Sequence, residues 1–410
     1  MPSCMMFATL PVLALAVLVG YMIGTSPVGI SPPLVPGASL LGEVPPWPVF
    51  RIAVGLNDML RTATEATTLP KIRVLDLATA RFQSQVIHIL TKNNVFDAVH
   101  AAPLTCSSTA SALKLHEPFV CRLMDAGTTL GLLVKSGDGK YGTTDAGALL
   151  VRDAPGSMKS FVEMINNPYQ APAWDAIGIG ESLRTGKGGF EAAHGKTFWE
   201  YATEKPEVEA EFDGAMTAFT EAAASSILSS YAFPTTGTIC DVGGSEGGTL
   251  KLLLDHYPGA SGIVVDRPTV IARTTKALAK AGLSERARGI GGDFLSESLP
   301  AGLARCDVFV LKHILHDWDD SSSITILKNI KAVAKPGARL VVVEHVLGAS
   351  GAGMERAKAM MDINMMASCM GGAKERAVPE YEALFVAAGI TAPATLVPMR
   401  DILSIVEVAL

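Results

Sequence analysis

The sequence predicts an α/β domain built on a doubly wound, mostly parallel, Rossmann-like sheet over residues 233–410, preceded by a mainly helical, winged-helix-like domain over 71–232. Three observations carry this. From Thr236 onward short apolar runs alternate with helical stretches. The runs are continuously apolar, so both faces of the sheet are covered, as in parallel α/β sheets. Ahead of them, residues 72–153 read as helix, turn, helix and hairpin.

Taken in order, residues 1–25 hold a hydrophobic segment. Residues 5–23 carry no charge and have about the length needed to span a bilayer. A membrane anchor, a removable targeting segment (plastid, mitochondrion or ER) and an apolar helix packed on the protein all fit. A secretory signal would want a basic start and a clear cleavage site, and neither is evident. The first basic residue is Arg51, so flanking charge does not set an orientation. Residues 26–70 are a linker and lead-in, rich in proline up to Pro48, which disfavours a regular helix there.

Within the helical domain, Phe82, Val86, Ile87, Ile89, Leu90 and Val95 recur at helical spacing and predict a helix over 81–96. Thr105 opens a helix-start signal, and a further helix is expected over 117–130. Gly137-Asp-Gly between two short apolar runs is a hairpin turn. A winged helix of this kind either binds DNA or serves as a scaffold for dimerisation. The presumed recognition helix, Glu117-Pro-Phe-Val-Cys-Arg-Leu-Met-Asp-Ala, has one arginine and two acids, and the whole chain has a net charge of −6. Nucleic acid is therefore not expected as a partner, because phosphate binding needs a basic footprint, and a homodimer is expected instead. Residues 156–232 are mostly helical.

Strands are expected over 238–242, 262–266, 288–291, 307–312 and 339–344, with 395–397 and 402–409 closing the sheet. The first ends in Asp241-Val-Gly-Gly-Ser-Glu-Gly-Gly, a glycine-rich turn into a helix, where a cofactor can approach the backbone. The second ends in Asp266, placed to accept both hydroxyls of a ribose, as in dinucleotide enzymes and methyltransferases alike. Asp293 and Phe294 follow the third. The fourth runs into Lys312-His-Ile-Leu-His-Asp-Trp. His316 and Asp317 thus lie just past the carboxyl end of a central strand, where open α/β sheets place their sites, and an imidazole there can take a proton from a hydroxyl. His313 is read as a core or wall residue. Glu344 ends the fifth strand, where a buried carboxylate needs a partner, and orienting His316 would supply one. Met361 and Met365, with Met360, Met366 and Met370, belong to one predicted helix that either lines a soft apolar pocket or simply packs.

Those strings, with Val265-Asp-Arg-Pro, Gly371-Gly-Ala-Lys-Glu-Arg, Glu380-Tyr-Glu-Ala-Leu and Thr143-Thr-Asp-Ala-Gly, resemble the caffeate- and acetylserotonin-type O-methyltransferases over roughly residues 81–410. The resemblance implies a class I methyltransferase fold, S-adenosylmethionine as cofactor, a small-molecule acceptor and a dimer. It implies His316 as general base flanked by Glu344 and Glu375, and a cofactor held by Asp241, Gly243, Gly244, Asp266, Asp293, Phe294 and Lys312. Asp317, Trp318, Met361 and Met365 are the candidates for substrate contact. Ser245 and Glu246 stand where the family has glycine and threonine, and Ala373 and Ala377 replace a glycine and a threonine. Altered cofactor affinity is the expectation from the first pair.

Other readings share the fold. S-methylation of a thioether such as 4-methylthio-2-hydroxybutyrate would need no base. A membrane-tethered binding protein without catalysis would make the altered loop its signature. No metal is expected, since the six cysteines form no C-x-x-C pair and no histidine stands at ligand spacing from them. Their scatter also predicts unpaired thiols in a reducing compartment.

Overall fold

The computed structural model describes residues 45–296, 299–349 and 352–410. They fall into two compact units, the first ending at Val151 and the second spanning Arg152–Leu410.

In the first unit, α1 (Trp47–Thr67) and α2 (Pro70–Lys92) each begin with a proline in the first turn, where its missing N–H costs nothing. Part of the expected lead-in is therefore helix: Pro48 starts α1 and does not break it. The helix predicted over 81–96 is extended backward to Pro70 and stopped at Lys92, because Asn94 turns left-handed (φ 56°) before α3 (Val95–Ala101). After β1 (Leu104–Thr105), Thr105 caps α4 (Cys106–Leu113) by accepting from the Ser108 amide. α5 (Glu117–Thr129) follows, then the hairpin β2 (Leu133–Lys135) and β3 (Lys140–Thr143), in a sheet ordered β1-β3-β2. Leu90, Phe96, Val120, Met124 and Tyr141 are buried in this unit. The winged-helix outline is the one expected.

The second unit holds a seven-stranded sheet: β4 (Thr236–Val242), β5 (Gly259–Asp266), β6 (Ala287–Gly291), β7 (Val308–Lys312), β8 (Arg339–Glu344), β9 (Thr395–Pro398) and β10 (Ser404–Ala409), ordered β6-β5-β4-β7-β8-β10-β9. β4 to β8 are parallel, and β10 runs antiparallel to both β8 and β9. Successive residues of one strand enter different cores. Val308, Val310, Val341 and Val343 face one hydrophobic cluster, whereas Phe309, Leu311, Leu340 and Val342 face the other. This is why the runs read as unbroken apolar sequence. The strand order reverses between β4 and β7, and that switch point opens a crevice at the carboxyl ends.

The helices α6 (Lys159–Ile165), α7 (Phe198–Glu204) and α8 (Pro206–Ser230) belong to this second unit, although the sequence placed a domain boundary near 232. Ala223 and Ile227 of α8 pack in one core cluster with Ile239, Val264 and Val308, so the sheet face needs α8 to close it. Further along come α9 (Gly248–His256), α10 (Pro268–Lys280), α11 (Asp320–Val333), α12 (Ala352–Ser368) and α13 (Val378–Ala387). Met370 lies beyond the end of α12 and outside the predicted methionine helix.

The expectation of unpaired cysteines is corrected for four of the six, while Cys369 is free as expected. Cys106 pairs with Cys121 (Cα–Cα 5.0 Å) and Cys240 with Cys306 (Cα–Cα 5.9 Å). The partners are 15 and 66 residues apart, a proximity that the fold creates and local spacing does not reveal. Among the described residues no helix is long and apolar enough to cross a membrane; the segment 5–23 lies outside them.

Candidate active site

The crevice above the switch point is a cavity of about 550 Å³ walled by strand ends. Asp241 closes β4 and is fully buried, and burial pushes its carboxyl up to about 7. Its Oδ2 has no hydrogen-bond partner. Gly243 turns at φ 75° and its N–H donates to the Val265 carbonyl at 2.7 Å. A Cβ on Gly244 would stand 2.5 Å from the Asp241 carboxyl carbon, so only glycine fits. Asp266, at the end of β5, accepts from the Ser245 and Arg267 amides at 2.8 and 2.7 Å. Burial raises its pKa. Asp293 and Phe294 line the same cavity, and Phe294 meets Trp318 edge to face at 5.7 Å. Lys312 completes the wall, its ammonium lowered to about 8 by burial against the pull of Asp241.

Ser245 takes a left-handed conformation (φ 49°) that ordinarily favours glycine. Three hydrogen bonds hold it: its amide to Asp266, its Oγ to Asp213 Oδ1 on α8 at 2.5 Å, and its carbonyl from Thr274 Oγ1 at 2.7 Å. Arg273 then joins Glu209 (2.8 Å), Asp213 and Glu246 (3.5 Å) in one ionic cluster. The acid at Glu246 is therefore paired with a guanidinium.

A second, smaller cavity of about 80 Å³ adjoins. Phe161 and Met164 of α6, Phe198 and Trp199 of α7, Phe212, Met216 and Phe219 of α8, and Met361 and Met365 of α12 make it aromatic and soft. The two cavities share Trp199, Phe212, Met216, His313 and Asp317. His316 lines only the second.

His316 is buried, with Nδ1 2.9 Å from Glu375 Oε1 and Nε2 3.5 Å from Asp317 Oδ1. Burial opposes charge on both members of the His316–Glu375 pair, but their mutual attraction wins. The imidazole is pushed up to about 10, helped by Asp317, and the Glu375 carboxyl is drawn down to about 2. Burial raises Asp317 to about 6. Glu344 does not touch the imidazole, contrary to the expectation that it orients the ring. Its Oε1 accepts the amides of Ile314, Leu315 and His316 at 3.0, 2.7 and 3.3 Å, and its Oε2 accepts the Tyr381 hydroxyl. Glu344 sets the backbone of the loop, and Glu375 sets the ring. The loop that brings Glu375 clamps the His316 loop: the Lys374 amide donates to the His316 carbonyl at 3.0 Å, and Arg376 donates to the carbonyls of Leu315 and Trp318 at 2.7 and 2.9 Å.

All the expected cofactor residues thus line one cavity, while Met361, Met365 and Asp317 line the other. Trp318 does not join them; it faces the cofactor cavity, because the loop turns after Asp317. His345, whose Nδ1 lies 3.1 Å from Glu375 Oε1, was not singled out in the sequence, nor were Asp213, Arg376 and Tyr381. Only His345 had a visible signal, standing directly after Glu344 at a strand end.

Comparison with known proteins places these observations in a family. Residues 177–391 match the O-methyltransferase domain and residues 75–153 the O-methyltransferase dimerisation domain. The chain is 31% identical to phenazine O-methyltransferase PhzM of Lysobacter antibioticus over 82% of this chain and 94% of that one. It is 28% identical to mitomycin biosynthesis 6-O-methyltransferase of Streptomyces lavendulae over 80% and 91%. The solved structure of the O-methyltransferase NcsB1 from neocarzinostatin biosynthesis, in complex with S-adenosylmethionine and 2-hydroxy-5-methyl naphthoic acid, superposes with a TM-score of 0.66. It is 29% identical and covers 84% of this chain and 100% of that one.

Proposed function

The chain belongs to the O-methyltransferase family, and on that premise we propose that it methylates a phenolic hydroxyl of a small aromatic molecule with His316 as general base. It is an S-adenosylmethionine-dependent enzyme acting on small-molecule hydroxyls and carries a dimerisation domain. The observation that supports the base assignment is the buried His316–Glu375 pair beside a cavity that shares its wall with the cofactor cavity.

The lining of the larger cavity fits the cofactor. Asp241 offers a buried, unpartnered carboxylate oxygen suited to an ammonium, Asp266 a carboxylate suited to ribose hydroxyls, and Gly244 a backbone without a side chain. When bound, S-adenosylmethionine supplies a methyl group on a sulfonium that is already a good leaving group. The protein's part is then alignment, exclusion of water and movement of one proton. Glu375 accepts from His316 Nδ1, which leaves Nε2 to take the hydroxyl proton. A phenol ionises near pH 10, close to the raised value of His316, so transfer between them is nearly balanced. Phenazine and naphthoic acid, named with two of the relatives, are flat aromatics of the kind the aromatic and methionine-lined cavity can sandwich. A thioether acceptor would leave the buried base without a task.

A homodimer formed through the first unit is the assembly that its matched dimerisation domain supports. It agrees with the exposed Val74, Leu75 and Phe82 on α2.

The test is product analysis. Purified protein with S-adenosylmethionine and a panel of phenols, hydroxynaphthoates and thioethers should yield a methyl ether from a phenol. Turnover of thioethers alone would overturn the proposal.

A further inference from the structure

Three imidazoles meet at the floor of the acceptor cavity. His313 and His316 follow β7, His345 follows β8, and one ring nitrogen of each lies within 4.8 Å of those of the other two. All three are buried. His313 holds a left-handed backbone (φ 54°) that is strained for any residue but glycine. Strain of this kind persists only where the surroundings impose it.

The hydrogen bonding around the three rings is unbalanced. The Nε2 atoms of His313 and His345 are buried with no partner, and so is Oε2 of Glu375. Glu375 Oε1 accepts from Nδ1 of both His316 and His345. A carboxylate can only accept, so Nδ1 of both His316 and His345 donates to Glu375 and Nε2 is the nitrogen that each ring has left for another partner. This carboxylate–histidine arrangement is the one that orients imidazoles towards a metal ion. Leaving a buried polar atom unpaired is costly, and the single hydroxyl of an acceptor can satisfy only one of the three.

We propose that His313, His316 and His345 form a binding site for a divalent transition ion of the zinc class, reached through the acceptor cavity, and that its occupation blocks methyl transfer. The donor set is the argument for the class: three imidazoles suit zinc, cobalt and nickel and reject magnesium and calcium, and metal binding displaces any proton on the ligating nitrogens. Zn–N bonds of about 2.0–2.1 Å set tetrahedral ligand nitrogens about 3.3 Å apart, so the rings must close in from separations of up to 4.8 Å. Asp317, 3.5 Å from His316 Nε2, lines the same cavity as the three rings. The inhibitory consequence rests on the assignment of His316 as base, because a bound ion takes the lone pair that would receive the acceptor's proton. Binding itself does not depend on that assignment.

Cobalt(II) added to the metal-free, full-length protein supplies a readout independent of turnover. The expected result is one Co²⁺ per chain with the intense visible bands of a four-coordinate ion, loss of methyl transfer in parallel, and recovery of both with EDTA. H313N and H345N should each lose the bands. Calorimetric binding of S-adenosylhomocysteine to both variants shows that they remain folded. Absence of visible bands, or bands that survive in both variants, would overturn the site. Bound cobalt that leaves turnover intact or raises it would overturn the inhibitory consequence. Turnover of metal-free protein on phenols reports separately on the methyltransferase assignment.

Discussion

The cofactor cavity and the acceptor cavity share a wall but are built in opposite ways. The first is made where strands end: Asp241, Asp266, Asp293 and Lys312 each sit at or just past the carboxyl end of β4, β5, β6 and β7, and the backbone of one glycine loop does the rest. The second is made from side chains on α6, α7, α8 and α12, drawn from a stretch of some two hundred residues. A strand end fixes where a side chain goes as soon as the sheet forms. A cavity between helices depends on packing, which tolerates exchange among apolar residues of similar size. The cofactor half is therefore specified residue by residue, and the acceptor half only by its general character. His316 belongs to both worlds, standing after a strand end but facing the helices.

If the two halves are as separable as this, substitutions should divide into those that affect chemistry and those that affect cofactor affinity. His316→Ala should have the largest effect, lowering kcat by about 10²–10⁴-fold while calorimetric affinity for S-adenosylhomocysteine stays within twofold of wild type. A parallel loss of cofactor affinity would break the division. Asp266→Ala should do the reverse, removing charge-assisted hydrogen bonds worth about 1.5–3 kcal/mol. That corresponds to a roughly 10–100-fold weaker cofactor, with NAD failing to bind in either protein.

Glu375→Gln sharpens the acceptor side and should cost about tenfold in kcat. Its signature is in the pH profile. In wild type kcat/KM should climb with pH toward the raised value of His316, near 10, because only neutral imidazole can accept the proton. Removing the Glu375 charge leaves burial, which favours neutral imidazole, less opposed. The His316 pKa then falls and the rising limb moves to lower pH. An unmoved limb would mean that another group titrates. The smallest effect is expected at the join between the halves. Ser245→Ala loses the bond to Asp213 but keeps the strained backbone, so cofactor affinity should drop about three- to tenfold. Ser245→Gly, which relieves the strain, should drop less.

How much of this was legible follows from the same contrast. Short runs located all seven strands; in the central β7 and β8 each residue meets one core or the other, while the edge strands β6 and β9 are partly exposed, and the residues just past each run located the cofactor wall. Glu375 came from a resemblance and not from periodicity, since nothing local marks a loop residue 59 positions after the histidine it binds. The division of labour between Glu344 and Glu375 was not readable, because both are acids at a suitable place and only geometry shows which meets the ring. The same holds for Asp213: its partner Ser245 lies 32 residues away, and an interior residue of a helix looks the same whether it packs or pairs. His345 stands visibly at a strand end, but its partner Glu375 lies 30 residues on. The two disulfides escaped for this reason as well.

The clamp on the His316 loop has a consequence for the order in which the enzyme comes into being. The loop is held by Lys374, Glu375, Arg376 and Tyr381, and the strand that ends in Glu344 is flanked by β10, with Ser404 opposite Glu344. A chain emerging from the ribosome completes β4, β5 and their glycine turn long before those residues are made. Recognition of the nucleoside can therefore be assembled first, and the reactive imidazole is immobilised only when the last tenth of the polypeptide has been synthesised and docked. During refolding, cofactor binding should return ahead of turnover, and a chain that ends early would hold its methyl donor without being able to spend it.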